Sequence, residues 1–368
     1  MNNRKEIRAA VLNAANEDFE IKTFWLDHPR TDEVLVKMVA TGICQTDISG
    51  QRGSFPLPFP CVLGHEGAGI IEEVGQNVTG FAPGDSVVLS FDSCGTCANC
   101  SDNHVAYCDE FPRLNFSGVR TEDGSTTLHD DAGKPVHGNF FAQSSFATHC
   151  IASRRNVVKV NCDDVPLETL GPLGCGIQTG AGTILNVLQP SPTSVVAILG
   201  AGAVGFSALF AAKLLGCRTI VMVDRVDSRL DLATELGATH VINTEREKFS
   251  DKISAIGKID SVVETTGVPA LIETILPTLA VRGKIALLGA GSDSKIQIDI
   301  RDVFGGKVLT SVREGDCNPQ TSIPQILEHV RDGLFPIDRI TRFYDFSEIN
   351  EAVNDANSGA TIKPILRF

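Results

Sequence analysis

The chain is short of positive charge. It contains 32 lysines and arginines against 45 aspartates and glutamates, which gives a formal net charge of −13 at pH 7. Nucleic acids and anionic membranes attract basic surfaces, so this balance argues against either of them as a partner. The sequence also lacks internal repeats and low-complexity tracts. With 42% hydrophobic and 21% charged residues, its composition is that of a globular protein.

The cysteines do not form the dense pattern of small secreted domains. Eleven cysteines are spread over 368 residues, whereas disulfide-stabilised secreted modules are short and rich in cysteine. The first residues, Met1–Arg8, contain no apolar core of the kind found in secretion signals. We therefore expect a reduced, cytoplasmic protein.

One stretch is apolar enough to suggest a membrane span. Ser207 is the one polar residue between Val195 and Ala212, and this length approaches what a membrane helix needs. Three glycines in the stretch favour a strand, a turn and a helix instead, so we expect no membrane span. A chain of 368 residues is also long enough to form more than one domain.

One histidine and two distant cysteines form a first candidate metal site. His65 lies in a glycine-rich stretch, and Cys44 and Cys175 each lie near glycines as well. A lone histidine of this kind is more often structural, and the two cysteines are what favour a metal. Two cysteines and one histidine are the ligand set of a catalytic zinc whose fourth position stays open. Two thiolates and a neutral imidazole cancel the charge of the ion, which remains a usable Lewis acid.

Four cysteines close together in sequence form a second candidate metal site. Their spacing is C-x2-C-x2-C-x7-C, and the members are Cys94, Cys97, Cys100 and Cys108. Four thiolates can meet about 2.3 Å from one tetrahedral zinc, and because no position then stays open, the ion would be structural. The alternatives are a disulfide, an iron–sulfur cluster, or a zinc ribbon that binds nucleic acid. The negative net charge and the acidic residues nearby weaken the last of these.

The second half of the chain predicts a dinucleotide site. A buried strand, 195–199, leads into Gly200, Gly202 and Gly205 in the pattern GxGxxG, and a helix follows to about residue 215. The next strand ends at Asp224. The GxGxxG pattern alone is weak evidence for a dinucleotide site. Within this order of strand, glycine turn, helix, strand and acid, it becomes strong evidence. In it, the first glycine makes the turn, the second admits the pyrophosphate and the third lets the helix pack on the strand.

Strands and helices continue to alternate after this motif, which predicts an α/β fold with a doubly wound parallel sheet. The further predicted elements are helices 227–236 and 269–280 and strands 240–242, 259–263, 284–288 and 307–312. The tail is predicted to contain a helix over 322–331, a helix from Ser347 and a last strand over 364–368. The first half consists of short strands and turns, with 34–39 as the clearest strand, and this predicts an antiparallel, partly barrel-like domain.

These segments, and nearly the whole chain, resemble the zinc-containing alcohol dehydrogenases of the medium-chain family. Residues 174–186 are similar to the benzyl-alcohol (aryl-alcohol) dehydrogenase branch. The resemblance implies a GroES-like catalytic domain over 1–175, with a structural-zinc lobe at about 94–108. It further implies an NAD-binding Rossmann domain over 176–312 and a C-terminal return, 313–368, to the first domain. Two zinc ions per chain and a homodimer or homotetramer are also implied.

The resemblance assigns roles to residues near the first metal site. Thr46 matches a residue that hydrogen-bonds the alcohol and takes its proton, and Asp47 matches an acid that orients the ligand histidine. Glu66 matches an acid that lies behind the zinc and exchanges as a ligand. The alternatives are an ordinary β-branched residue for Thr46 and a surface acid for Glu66.

Two positions depart from the family pattern. Ser49 stands where many members have a histidine that relays the proton to solvent, and Gln45 stands where many have a basic residue for the pyrophosphate. We therefore expect the proton to leave from Thr46 through the nicotinamide ribose, Ser49 and ordered water.

The resemblance also places the cofactor. A carboxylate at Asp224 accepts both adenosine ribose hydroxyls and repels a 2′-phosphate, which favours NAD over NADP. Arg229 matches a basic residue that supports the same ribose, with a solvated helix charge as the alternative. Thr179 and Val204 match positions that flank the nicotinamide.

Three phenylalanines, Phe55, Phe140 and Phe141, match positions that line the family's substrate cleft. Flat aromatic rings favour an aromatic or allylic alcohol; the alternative is that these are core residues. The sequence therefore predicts an NAD-linked enzyme that interconverts a primary alcohol and its aldehyde. The alternatives are an S-(hydroxymethyl)glutathione (formaldehyde-type) dehydrogenase and a catalytically silent NAD-binding zinc protein, and two complete zinc ligand sets argue against silence.

Overall fold

The chain forms two compact units in a computed structural model that describes residues 4–289 and 295–368. The first unit comprises the described part of Met1–Cys175, together with Asn318–Arg331 and Pro336–Phe368. The second comprises the described part of Gly176–Cys317 and Asp332–Phe335. Met1–Asn3, at the start of the stretch searched for a secretion signal, lies outside the described residues.

Strands and helices are numbered here in chain order. The strands are β1 Arg4–Leu12, β2 Glu20–Asp27, β3 Glu33–Gly42, β4 Cys61–Val62, β5 Glu66–Val74, β6 Ser86–Leu89, β7 Leu128–His129, β8 Pro135–Val136, β9 His149–Ser153, β10 Val157–Lys159, β11 Val195–Leu199, β12 Thr219–Asp224, β13 His240–Asn243, β14 Ile259–Glu264, β15 Leu279–Leu287, β16 Val308–Ser311, β17 Thr341–Asp345 and β18 Lys363–Arg367. The helices are α1 Gln45–Gln51, α2 Ala98–Ser101, α3 Phe111–Phe116, α4 Gly176–Gly182, α5 Ala203–Leu214, α6 Asp227–Leu236, α7 Phe249–Ile256, α8 Pro269–Ile275, α9 Pro319–Arg331 and α10 Ile349–Ser358. Shorter 3₁₀ segments are Val105–Tyr107, Phe140–Ala142, Leu167–Thr169, Gly171–Gly174, Leu276–Thr278, Ile300–Val303, Glu314–Asp316, Ile337–Ile340 and Phe346–Glu348, and Thr183–Leu188 is a π-helical turn.

The first unit is built on two mainly antiparallel sheets, as the dense strands and turns predict. One sheet has the order β4-β1-β2-β7-β8, and the other has the order β10-β6-β5-β3-β18-β17 with β9 also paired to β3. The long central strand β3 is rich in β-branched residues, which favour a pleated strand, and it is mostly buried. It pairs antiparallel with β5 and with the C-terminal strand β18. The C-terminal strand β18 therefore lies next to β3, on the other side from β5.

The second unit contains a parallel sheet with the order β13-β12-β11-β14-β15-β16. All five strand pairs are parallel, and helices α5 to α8 connect the consecutive strands from β11 to β15, so the predicted doubly wound sheet is confirmed. The apolar run 195–212 divides into β11, the glycine turn and most of α5. No helix among the described residues is both long and apolar enough to cross a membrane.

Two predicted elements differ from the structure. The helix expected over 269–280 ends at Ile275, and the strand expected from 284 begins at Leu279. Pro277 explains the early end, because proline lacks the backbone N–H that would continue the helical hydrogen bonds, and Leu276–Thr278 forms a 3₁₀ turn instead. Helix α7 was not predicted, although Phe249 and Ile253 lie four residues apart and are both buried.

Candidate functional site

The first candidate metal site is assembled within the first unit. The ligand atoms of Cys44, His65, Glu66 and Cys175 all lie within 4.8 Å of one another. Cys44 directly precedes α1, and His65 directly precedes β5, whose first residue is Glu66. Cys175 follows the 3₁₀ segment Gly171–Gly174. The fold thus brings together residues that are more than a hundred positions apart in sequence.

Glycines allow the backbone to approach closely around this cluster. A Cβ atom on Gly174 would lie 2.0 Å from the carbonyl oxygen of Leu89, and one on Gly42 would lie 2.0 Å from Glu66 Oε2. Both distances are far below van der Waals contact, so any side chain at either position would displace the neighbouring atoms.

The imidazole of His65 is fully buried and is oriented by Asp47. Its Nδ1 lies 2.8 Å from Asp47 Oδ1, which also accepts a hydrogen bond from Gly64 N at 3.1 Å. The other carboxylate oxygen of Asp47 accepts from Cys44 N at 2.9 Å. One buried carboxylate therefore anchors two of the candidate ligand residues. This geometry is compatible with the expected role of Asp47, which is to orient the ligand histidine.

The geometry and charge of the cluster fit a zinc ion. His65 Nε2 is buried and has no hydrogen-bond partner among the described residues, an arrangement that is rare unless another group satisfies the nitrogen. Burial lowers the pKa of His65, but Asp47 and Cys44 outweigh it and raise this pKa well above its ordinary value. Hydrogen bonding to Cys175 lowers the pKa of Cys44 well below its ordinary value, and His65 adds to the shift. The lowered pKa of Cys44 favours the thiolate, which is the form that binds a cation, and a divalent cation at this position would keep the imidazole of His65 neutral.

Lys363, which lies beside the cluster, was not predicted from the sequence as a residue of the site. This buried lysine donates from Nζ to Glu66 Oε1 at 2.9 Å, to Glu66 Oε2 at 2.8 Å and to the carbonyl oxygen of Ile43 at 3.1 Å. Burial lowers the pKa of Lys363, but Glu66 outweighs burial and raises it. Burial also raises the pKa of Glu66, yet we regard the pair as ionised because Nζ donates to both carboxylate oxygens at short range. A lysine in the otherwise apolar start of β18 is the one signal that the sequence offered.

Glu66 is thus held as the partner of Lys363 and is buried, which excludes the surface acid considered as the alternative. Its position near the sulfur atoms is compatible with occasional ligation. Ligation would require that at least one of the bonds to Lys363 break.

The residues with expected roles in proton transfer lie on α1. Thr46 is partly buried, and its Oγ1 lies 3.8 Å from Cys44 Sγ. Ser49 is also partly buried, and it follows one turn later on the same side of the helix. Gln45 is exposed. The structure thus places Thr46 beside the cluster, and Ser49 lies one turn further along the helix.

The three candidate pocket phenylalanines occupy different environments. The ring of Phe141 stacks on His65 with a centroid distance of 4.5 Å, and Phe140 meets the imidazole edge-on at 5.6 Å. Both rings are buried in the core of the unit. Phe55 is partly exposed and stacks at 4.8 Å on Phe116, a ring at the end of α3 that the sequence did not single out. Phe55 and Phe116 are therefore the better placed to touch a ligand.

The four-cysteine cluster is also assembled. Its sulfur atoms lie within 4.8 Å of one another, and all eleven cysteines of the chain are free, which argues against the disulfide alternative. Burial raises the pKa of Cys94, but hydrogen bonds from Thr96 and Cys97 outweigh it and bring the pKa to about 6. The sulfur atoms of Cys94 and Cys100 are 3.9 Å apart, close to the roughly 3.8 Å that tetrahedral geometry and zinc–sulfur bonds of about 2.3 Å require.

The glycine turn of the second unit has the geometry of a phosphate-binding loop. Gly200 has a φ of +103°, and a Cβ on Gly205 would lie 1.9 Å from the carbonyl oxygen of Gly200. A Cβ on Gly202 would meet no atom of the described residues within 4 Å, so the backbone there faces space among them that a pyrophosphate can occupy. This space is the observation that fits a dinucleotide.

Asp224 ends β12 and is tied to this turn. One of its carboxylate oxygens accepts from Ala201 N at 2.7 Å, and the other accepts from Arg225 N and Val226 N. Burial lowers the pKa of Arg229, and the charge of Asp224 opposes this effect, so the two side chains are close enough to interact. These two predicted ribose-binding residues are therefore brought together.

The two residues expected beside the nicotinamide also lie in the second unit. Val204 is partly buried in the first turn of α5. Thr179 lies in α4, and its hydroxyl is 3.4 Å from Glu314 Oε2.

Two family models match the chain. Residues 30–162 match the model described as "Alcohol dehydrogenase GroES-like domain", and residues 203–331 match "Zinc-binding dehydrogenase". Together they cover most of the chain, one in each half.

Named relatives and solved structures match over nearly the whole length. A geraniol dehydrogenase from Castellaniella defragrans is 42% identical over 98% of this chain and 97% of its own. The crystal structure of benzyl alcohol dehydrogenase from Acinetobacter calcoaceticus has a TM-score of 0.94 and 46% identity, and 99% of each chain is covered. An alcohol dehydrogenase zinc-binding domain protein from Burkholderia ambifaria has a TM-score of 0.96 and 47% identity over 100% of both chains.

Proposed function

The chain belongs to the alcohol dehydrogenase family that combines a GroES-like domain with a zinc-binding dehydrogenase domain, and on this premise we propose an NAD-linked primary-alcohol dehydrogenase. Its reaction moves a hydride between the alcohol carbon and the nicotinamide and releases or takes up one proton. The single observation that carries the proposal is the cluster of Cys44, His65 and Cys175, in which His65 Nε2 has no hydrogen-bond partner among the described residues.

Two residues orient and charge-balance the site in this reaction. A zinc ion held by the cluster supplies Lewis acidity, which lowers the pKa of an alcohol hydroxyl. Asp47 fixes the imidazole of His65 through Nδ1 and so leaves Nε2 free to bind the metal. Lys363 balances the charge of Glu66 and holds this carboxylate behind the cluster.

The proton of the alcohol is proposed to leave by way of α1. Thr46 Oγ1, close to Cys44, accepts it and gives up its own hydroxyl proton, which would pass through the nicotinamide ribose and Ser49, one turn later, to ordered water. A serine hydroxyl does not titrate near neutral pH, unlike the histidine found at this position in many relatives.

An aromatic or allylic alcohol is the proposed substrate class. Geraniol is allylic and benzyl alcohol is aromatic, so the names of the two relatives agree with it. The partly exposed pair Phe55 and Phe116 provides flat apolar surface beside the rings that pack on His65.

A substrate panel tests this proposal. We expect kcat/KM for benzyl or cinnamyl alcohol to exceed that for ethanol by at least about 100-fold, because each apolar group bound contributes roughly 1–3 kcal/mol. Phe116→Leu should narrow this ratio. Phe346→Leu, which alters a ring that packs on Phe368, should leave the ratio unchanged. Equal kcat/KM values for ethanol and benzyl alcohol would remove the argument for an aromatic substrate. A preference for S-(hydroxymethyl)glutathione would favour the formaldehyde-type dehydrogenase. Inactivity with every alcohol would favour a catalytically silent NAD-binding protein.

Replacement of Asp224 tests the proposed preference for NAD. Asp224→Asn removes the charge but keeps an oxygen that can accept from Ala201 N, so its effect reports mainly repulsion of the 2′-phosphate. We expect the ratio of kcat/KM with NAD to kcat/KM with NADP to fall at least about fivefold. Two charges close together interact by roughly 1–4 kcal/mol at intermediate dielectric, and the substitution removes this interaction. Asp224→Ser should relax the preference as well. Asp227→Asn, a charge change three residues later, is the control. A wild-type enzyme that works better with NADP would contradict the assignment.

We also propose a homodimer or homotetramer. Among the described residues, β16 is an outer strand of the parallel sheet. Val281 in β15, and Ile300 and Phe304 in the segment before β16, are 78%, 69% and 65% exposed. Large exposed apolar residues near an open strand edge are typical of an association surface. Sedimentation of the wild type should show an oligomer that Phe304→Asp weakens, whereas a wild-type monomer at micromolar concentration would contradict the proposal.

A reducing, cytoplasmic location is proposed as well. All eleven cysteines are free thiols in the structure, and six of the eight predicted metal ligands are cysteines that disulfide formation would remove as donors. Cytosolic conditions keep thiols reduced.

A further inference from the structure

The backbone segment Asn139–Ser144, next to the candidate metal site, is strained. Asn139, Phe141, Ala142 and Ser144 have φ angles of +56°, +52°, +54° and +56°. Asparagine tolerates this left-handed region, but phenylalanine, alanine and serine adopt it rarely. Such a segment persists only where its surroundings hold it in place.

Two polar side chains hold the segment without reaching the ligand residues. Asn156 Nδ2 donates to the carbonyl oxygens of Phe141 at 2.9 Å and Ala142 at 3.2 Å. Ser144 Oγ donates to the carbonyl oxygen of Val62 at 2.7 Å. Both side chains are buried.

A third side chain, Gln143, links the segment to the main chain on both sides of Glu66. Gln143 is 2% exposed, and its Nε2 donates to the carbonyl oxygens of His65 and Ser90, each at 3.0 Å. Its Oε1 accepts from Gly67 N at 3.2 Å. All the polar atoms of this buried amide are thus engaged, and two of its three bonds are to neighbours of Glu66.

The same segment also contacts the imidazole of His65 directly. Phe141 stacks on the ring at 4.5 Å with an interplanar angle of 27°, and Phe140 lies edge-on. His65 is therefore held from three directions. Asp47 binds its Nδ1, Gln143 binds its carbonyl oxygen, and Phe141 covers one face of its ring.

We propose that Gln143 is a positioning residue of the catalytic metal site. It fixes the main chain of His65 and Gly67 against the strained segment, so that Phe141 and the imidazole keep one orientation and Nε2 points at the sulfur atoms of Cys44 and Cys175. Gln143 contacts no ligand atom itself and acts through His65. The inference rests on the proposed metal ligation by Cys44, His65 and Cys175.

The test replaces Gln143 by methionine, which has a similar length and no hydrogen-bonding amide. The zinc-loaded variant is exposed to a chromophoric chelator, and the visible spectrum of the cobalt-substituted protein is recorded. We expect one of two zinc ions to be bound roughly 10–100-fold more weakly, as is typical when a group that supports a ligand is lost. The cobalt absorption bands should shift, and kcat for alcohol oxidation should fall while the affinity for NAD stays unchanged.

Asn350→Leu is the matched control. Asn350 makes a paired amide hydrogen bond with both backbone groups of Phe19, at 2.9 Å each, so its removal also costs stability. The control should retain both zinc ions and the wild-type cobalt spectrum. If Gln143 has a positioning role, both variants should have a lower unfolding temperature, and only Gln143→Met should lose zinc.

Other results overturn the inference. If folded Gln143→Met keeps wild-type zinc affinity and cobalt bands, Gln143 does not position the site. If Gln143→Met does not fold, Gln143→Asn keeps the amide on a shorter side chain, and an unchanged cobalt spectrum in that variant overturns the inference equally. A wild-type protein that binds only one zinc would instead remove the metal site on which both this inference and the proposed function depend.

Discussion

Replacing Cys44 by serine is expected to abolish alcohol oxidation and to remove one of two zinc ions, while most of the fold remains. The sulfur of Cys44 lies within 4.8 Å of the other candidate ligand atoms, and a serine hydroxyl at neutral pH is not the anionic, soft ligand that zinc prefers. The loss of activity should exceed the roughly 10–100-fold cost of losing a supporting group, because a ligand itself is lost.

Cys97→Ser is the matched comparison, because it removes one sulfur from the other cluster. This cluster offers four cysteine ligands and leaves no open position, so we expect its metal to contribute folding free energy and to take no part in the reaction. We expect a lower unfolding temperature for Cys97→Ser, with activity per correctly folded molecule largely kept. Metal analysis, thermal unfolding and turnover measured on both variants separate the two roles. One zinc per wild-type chain, or an active Cys44→Ser, would contradict the assignment.

Replacing Lys363 by methionine is expected to destabilise the first unit by about 3–5 kcal/mol, the usual cost when one member of a buried ion pair is removed. The carboxylate of Glu66 is fully buried and accepts two hydrogen bonds from Lys363 Nζ. Without the lysine, this carboxylate keeps its burial but loses its counter-charge. Urea unfolding of the zinc-loaded protein, followed by a probe within the first unit, measures the effect.

The double variant Lys363→Met/Glu66→Gln provides the control. It removes both charges, so it should recover most of the stability that Lys363→Met alone loses, and the double-mutant cycle should give a large coupling energy. Additive effects of the two single substitutions would show that Glu66 and Lys363 do not act as a pair. A surface ion pair such as Arg331 with Glu328 should show almost no coupling energy.

Local patterns in the sequence were sufficient to predict those parts of the protein whose geometry depends on residues close together in the chain. The spacing of four cysteines within Cys94–Cys108 predicts a cluster that the structure assembles. The order of strand, glycine turn and helix over 195–214 predicts the turn that leaves open space at Gly202. In both cases the residues that define the geometry lie in one short loop. A short loop has few conformations that can bring them together.

The ligands Cys44, His65 and Cys175 were identified differently. No local pattern joins residues so far apart, and the prediction depended on the resemblance to a known family. The fold supplies the physical link, because β3 leads to Cys44, β5 starts beside His65, and the two strands pair. Strand pairing of this kind is a long-range contact that the sequence does not display directly.

Only the tertiary structure decided which side chains support the site and which rings are accessible. Lys363 meets Glu66 across 297 positions of sequence, and Gln143 reaches His65 across 78. Phe140 and Phe141 are buried against His65, while Phe55 and Phe116 are partly exposed. These outcomes depend on how strands and loops pack, since burial and hydrogen bonding are properties of the assembled core. The sequence, together with the family resemblance, therefore indicated the types of site and their candidate ligands, and packing determined the residues that hold them in place.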